Sequence, residues 1–144
     1  MTKPKAARQP DAAARRVFMA SFGALTMLIL QFVLGTAYGL YGTVPTAGKP
    51  VGMFSTPLLS VHVVLGILII LSGIMLVVRA VQAKVVPALV LSVVGLVAVL
   101  GAFGAGTSFV GNGSAGTSLY MAITTAVAML CYGANLVILG GKRS

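Results

Sequence analysis

Four long apolar runs, none carrying an acidic residue, leave this chain few ways to fold. They cover about 17–41, 58–81, 86–107 and 117–139. Each is roughly 20–25 residues long, enough for a helix to cross a ~30 Å hydrocarbon core. The runs are continuous rather than alternating, so helices are expected and a barrel is not. Only 8% of the 144 residues are charged, too few to cover a soluble core of this size. The predicted class is all-α: an integral membrane four-helix bundle running up-down-up-down, because its connections are short.

The charge is confined to the ends and the loops. Residues 1–16 are basic and rich in Pro and Ala and read as a frayed cytoplasmic tail. A signal peptide is the competing reading, but the run at 17–41 is too long for one and no A-x-A site closes it. With the N-terminus inside, Lys3, Lys5, Arg8, Arg15, Arg16, Arg79, Lys84, Lys142 and Arg143 face the cytoplasm and only Lys49 lies outside. Nine against one is a positive-inside pattern, so both termini are expected in the cytoplasm of a multi-pass protein of the cell membrane. The net charge of +9 then meets anionic lipid at the cytoplasmic face rather than nucleic acid. The stretch at 142–144 is a short basic end, and the loops 42–57 and 108–116 are external. Asn112–Gly113–Ser114 matches a glycosylation sequon but is read as a turn.

Small and polar residues mark the faces that turn inward, because small residues let membrane helices approach and buried polar groups need partners. Gln31, Gly35 and Tyr38/Gly39 share a stripe on the first helix, and His62, Gly66 and Gly73 share one on the second. Ser92, Gly95, Val99, Ala102 and Gly106 do so on the third, and Met121, Thr125, Ala128, Tyr132 and Asn135 on the fourth. Gly35-x-x-x-Gly39 reads as close packing within the bundle ahead of a dimer seam.

His62 is the main candidate for chemistry. An imidazole in hydrocarbon is expensive, and imidazole ligates haem and metals. The plainer reading is a hydrogen bond to a neighbouring helix, through Gln31, Tyr38 or a loop carbonyl. Met121 is expected at a similar depth near the external face, and a His/Met pair is an axial arrangement for haem iron. The competing reading makes Met121 core filler. Gln31 either hydrogen-bonds a cofactor or ties two helices together, and the tie is preferred. Tyr38, Tyr41 and Tyr120 fall where an aromatic belt is expected. Cys131 reads as a small buried hydrophobe and allows no internal disulfide.

No acidic or basic residue lies within a run away from its ends, so proton-coupled transport and carboxylate-based catalysis are not indicated. No nucleophile–base pair, zinc-type His/Cys cluster or phosphate-binding glycine loop is present, and an enzyme is not expected.

Gln31-x-x-x-Gly35, a Pro/Gly-rich external loop and His62-x-x-x-Gly66 together resemble one four-helix half of the haem A synthase family. The likeness covers about residues 25–135. It implies a bundle holding haem near the external face through histidines on its second and fourth helices. The family's catalytic glutamate, three residues before the second-helix histidine, is replaced by Leu59. The fourth-helix histidine is missing, and Met121 is the nearest residue able to replace it. The resemblance therefore implies a haem-binding bundle or a relic of one, not an active synthase; a homodimer offers a second His62 as another ligand. Two functions stand on the sequence: a haem-binding or redox-associated bundle with His62 and Met121 as axial ligands, or a cofactor-free accessory subunit of a larger membrane complex.

Overall fold

The computed structural model describes residues 9–46 and 48–141. Lys3, Lys5, Arg8, Lys142 and Arg143, which carry much of the expected orientation signal, lie outside the described residues. Four helices follow one another: α1 (Gln9–Tyr41), α2 (Pro57–Ala83), α3 (Val86–Asn112) and α4 (Ala115–Gly140). All four are long and apolar enough to cross a membrane. The 27 residues of α2 or α3 reach roughly 40 Å at about 1.5 Å per residue, beyond the hydrocarbon core itself.

The boundaries follow from local chemistry. Pro57 opens α2, where its missing N–H costs nothing, and the Thr56 side chain accepts a 3.3 Å hydrogen bond from the Leu59 N–H. Lys84 ends α2 in the left-handed conformation, and its N–H donates to the Val81 carbonyl at 3.1 Å. Gly113 ends α3 the same way. Asn112 Oδ1 then accepts from the Ser114 N–H at 3.0 Å, so Asn-Gly-Ser is a turn here. Two differences from the sequence reading stand out. α1 begins at Gln9 rather than near 17, because the alanines and arginines ahead of Val17 are good helix formers. α3 continues to Asn112 rather than stopping near 107, because nothing before Gly113 breaks it, and the expected external loop 108–116 shrinks to a two-residue turn.

Each helix packs against two neighbours, α1 on α2 and α4, α3 on α2 and α4, and among the described residues the backbones of the diagonal pairs do not approach closely. The two-residue turns make α2–α3 and α3–α4 antiparallel hairpins. Gly140 lies against Phe18, which brings the end of α4 beside the start of α1. The bundle is thus up-down-up-down, with the α2–α3 turn and the outer ends of α1 and α4 at one end. The loop between α1 and α2 and the α3–α4 turn lie at the other.

Small residues fill much of the seams: Ala24, Gly73, Ala80, Ala88, Gly95, Ala98 and Ala128 are buried beside a few large side chains such as Ile69, Leu76 and Leu139, while many Ile, Leu, Val and Phe side chains point outward. That inversion of the soluble pattern is what lipid favours, since tails are as apolar as leucine and packing distance decides. In the half of the bundle near the α2–α3 turn the core is closed. Tyr132 lies flat against Gly95, its hydroxyl reaching toward Gly73, and Asn135 donates to the Ser92 hydroxyl at 3.1 Å. Ser92 in turn donates to the Ala88 carbonyl at 2.7 Å. The other half is built differently.

A candidate ligand-binding cavity

In the half beneath the α1–α2 loop the helices do not close on one another. They surround a cavity of about 390 Å³, within the range of small-molecule sites. All four helices contribute, with Phe32, Ile69, Val99 and Phe103 among the apolar walls. Among the described residues, no acidic or basic side chain besides His62 lines it.

The loop roofs the cavity. Tyr38, buried on α1, donates to the Thr43 carbonyl at 2.7 Å and pins the start of the loop. The Val51 N–H donates to the Val110 carbonyl of α3 at 2.9 Å and pins its middle. Pro45 is buried against the α3–α4 turn, where its carbonyl occupies the space a side chain on Gly113 would need. Met53 reaches the cavity from the loop itself.

His62 and Gln31 form the polar wall. Their Nε2 atoms are 3.2 Å apart. The amide nitrogen donates, so the imidazole Nε2 accepts and its proton sits on Nδ1. Two glycines make room for the pair. A methyl group on Gly35 would stand 3.0 Å from His62 Cε1, and one on Gly66 would stand 3.2 Å from Gln31 Nε2. The Gly35-x-x-x-Gly39 pair is therefore packing within the bundle at Gly35, while Gly39 lines the cavity with open space beside it.

The pair is only half satisfied. His62 Nδ1 and Gln31 Oε1 are buried and have no hydrogen-bond partner. With this pairing they present one donor and one acceptor. Turning the amide over exchanges the two roles and leaves the same complement.

Met121 lines the same cavity from α4, and its sulfur lies against Gly106, 3.5 Å from where a methyl on that glycine would sit. His62 leans toward α1 and Met121 toward α3, so the two line the cavity from diagonally opposite helices. The structure therefore joins two arrangements that the sequence posed as alternatives: His62 is held by Gln31, and a cavity still stands beside it. The sequence reading put Tyr38 both on the inward stripe and in the interfacial belt, and the structure buries it on the inward face. Its place on the stripe of Gln31 and Gly35 was the signal that it faces inward. Tyr41 and Tyr120 are exposed, as belt residues are.

Among the described residues no three His, Cys, Asp or Glu side chains gather as a conventional metal site requires. No protein-family model, curated protein or solved structure matches the chain, so none links it to the haem A synthase family.

Proposed function

We propose that this chain is a multi-pass protein of the cell membrane, with both termini cytoplasmic, that binds a small amphipathic ligand in the cavity near its external face. One observation carries the reading: two of the buried polar atoms without partners, His62 Nδ1 and Gln31 Oε1, belong to residues lining a mostly apolar cavity whose other polar groups are Tyr38 and the hydroxyls of Thr36, Thr107, Ser118 and Thr125. An unsatisfied buried polar group costs about 1–3 kcal/mol. Both atoms are covered as the side chains stand, so a ligand with a donor and an acceptor at one end and an apolar body at the other recovers that cost once the pair turns toward it. Binding rather than catalysis is the role assigned, because among the described residues the lining holds neither a carboxylate nor a nucleophile–base pair.

Haem is the second reading, favoured by His62 and Met121 lining one cavity from diagonal helices. Imidazole and thioether suit haem iron as axial ligands. The fit is incomplete as the side chains stand, because His62 Nε2 is engaged by Gln31. Haem binding requires the imidazole to leave that amide.

The test is mass spectrometry of organic extracts from the detergent-purified protein, with oxidised and dithionite-reduced absorption spectra of the same samples. Wild type is compared with His62→Ala and with Ala102→Phe, which pushes a ring into the cavity. A small molecule retained by wild type and lost from both variants is the expected result. A Soret band that follows the same pattern identifies the ligand as haem. Extracts and spectra indistinguishable among three folded proteins would sink the binding reading and leave the chain as a cofactor-free accessory subunit or a homodimer-forming structural one.

A further inference from the structure

At the opposite end of the bundle, a second cavity lies between α1 and α2. It is a cleft of about 600 Å³ lined by Arg15, Arg16, Arg79 and Gln82, with Met19, Met75 and Val78 as its apolar part. Three guanidinium groups in one cleft repel one another unless an anion lies among them. Asp11 is the only acidic side chain in the sequence, so side chains of the chain itself can neutralise at most one of the three. An anion from outside the chain is the fitting counter-charge.

We propose that this cleft is a seat for an anionic phospholipid, its phosphate held by Arg15, Arg16 and Arg79 and its acyl chain running along the α1–α2 seam. Guanidinium forks match phosphate oxygens with paired hydrogen bonds, which ammonium groups do not. The depth is right: Arg79 lies in the last turns of α2, at the level where a spanning helix meets the headgroups. The apolar part makes a lipid a better occupant than free phosphate. Met19 and Met75 are 56% and 52% exposed, and they continue the cleft directly toward the lipid-facing surface.

The experiment is native mass spectrometry of the full chain in detergent, titrated with phosphatidylglycerol, with phosphatidylcholine and with inorganic phosphate. Arg79→Gln is compared with Lys84→Asn, which removes one positive charge at the same end but outside the cleft. Wild type is expected to hold phosphatidylglycerol about tenfold more tightly than phosphatidylcholine. Arg79→Gln is expected to lose about that factor, the size of one charge-assisted hydrogen bond, while Lys84→Asn stays within about twofold. Arg79→Lys keeps the charge without the fork and is expected to weaken binding several-fold; it carries the test if Arg79→Gln does not fold. Equal losses in Arg79→Gln and Lys84→Asn would mean diffuse surface charge and overturn the site. Equal affinity for the two lipids would overturn it as well. Inorganic phosphate binding as tightly as phosphatidylglycerol would overturn the lipid as occupant.

Discussion

Gly95 and Gly104 belong to the same helix and meet opposite surroundings. A methyl on Gly95 would enter the ring of Tyr132, which is fully buried, whereas one on Gly104 meets nothing within 4 Å. Gly95→Ala is therefore expected to cost about 1–3 kcal/mol, the usual penalty for overpacking. Gly104→Ala is expected to be neutral or to gain about 0.5–1 kcal/mol of helix stability. Thermal unfolding in detergent, followed by circular dichroism, checks both, and equal effects would contradict the packing described. The Gln31–His62 pair makes a sharper case. Gln31→Leu strips the imidazole of its one partner and is expected to cost about 1–3 kcal/mol. Gln31→Leu with His62→Leu removes both halves, and the pair of changes is expected to cost clearly less than the two single changes added together. Strict additivity would mean that the two side chains are not coupled. The inward stripe carrying Gln31 and Gly35, and the one carrying His62 and Gly66, were legible in the sequence. Which of several groups meets His62 was not, because that depends on the relative rotation of two helices, and no spacing along the chain encodes it.

The two hairpin turns show how an element ends and at what cost. Both use a left-handed residue, Gly113 after α3 and Lys84 after α2. Left-handed backbone costs an L-residue about 1–2 kcal/mol. Gly113 avoids this, and it has a second reason to be glycine, since the Pro45 carbonyl lies where a Cβ would project. Gly113→Ala is thus expected to lose more than the backbone cost alone and to loosen the loop that roofs the cavity. Lys84→Gly is expected to gain roughly 1 kcal/mol. Unfolding midpoints of the two variants, read against wild type, check the opposite signs. The existence of four helices was legible because apolar length is a strong signal in a membrane sequence. Their ends were less so. Ser108 looked like the first loop residue, yet it lies within α3, and Thr107 before it bonds its hydroxyl to the Gly104 carbonyl at 2.7 Å. A helix can satisfy a short hydroxyl on its own backbone, so polarity alone does not end it. The roofing loop was least legible, because two of its three anchors, Val51 to Val110 and Pro45 on the α3–α4 turn, are tertiary contacts, and only Tyr38 to Thr43 is local.

At the scale of the whole molecule the two ends differ in kind. One carries the arginine cleft and the α2–α3 turn, the other the roofed cavity. The bundle fixes which features share an end, and the membrane decides which end faces the cytoplasm. Positive residues on short loops set that choice, and nine against one is a wide margin. The chain supplies a convenient probe, because its single cysteine, Cys131, is buried and can be replaced by Ala. In that background, one cysteine placed at Lys49 and another at Lys84 mark opposite ends, since both positions are exposed. Neither substitution upsets the bias: Lys49→Cys leaves nine charges against none, and Lys84→Cys leaves eight against one. A membrane-impermeant maleimide is expected to label the Lys49→Cys protein on intact cells and the Lys84→Cys protein only after permeabilisation. That result puts the cavity mouth outside and the arginine cleft against the anionic inner leaflet, where a phospholipid phosphate is available to it. The reverse pattern would expose the cleft to the outer face. It would remove the orientation argument and place the His62 cavity within reach of ligands from the cytoplasm.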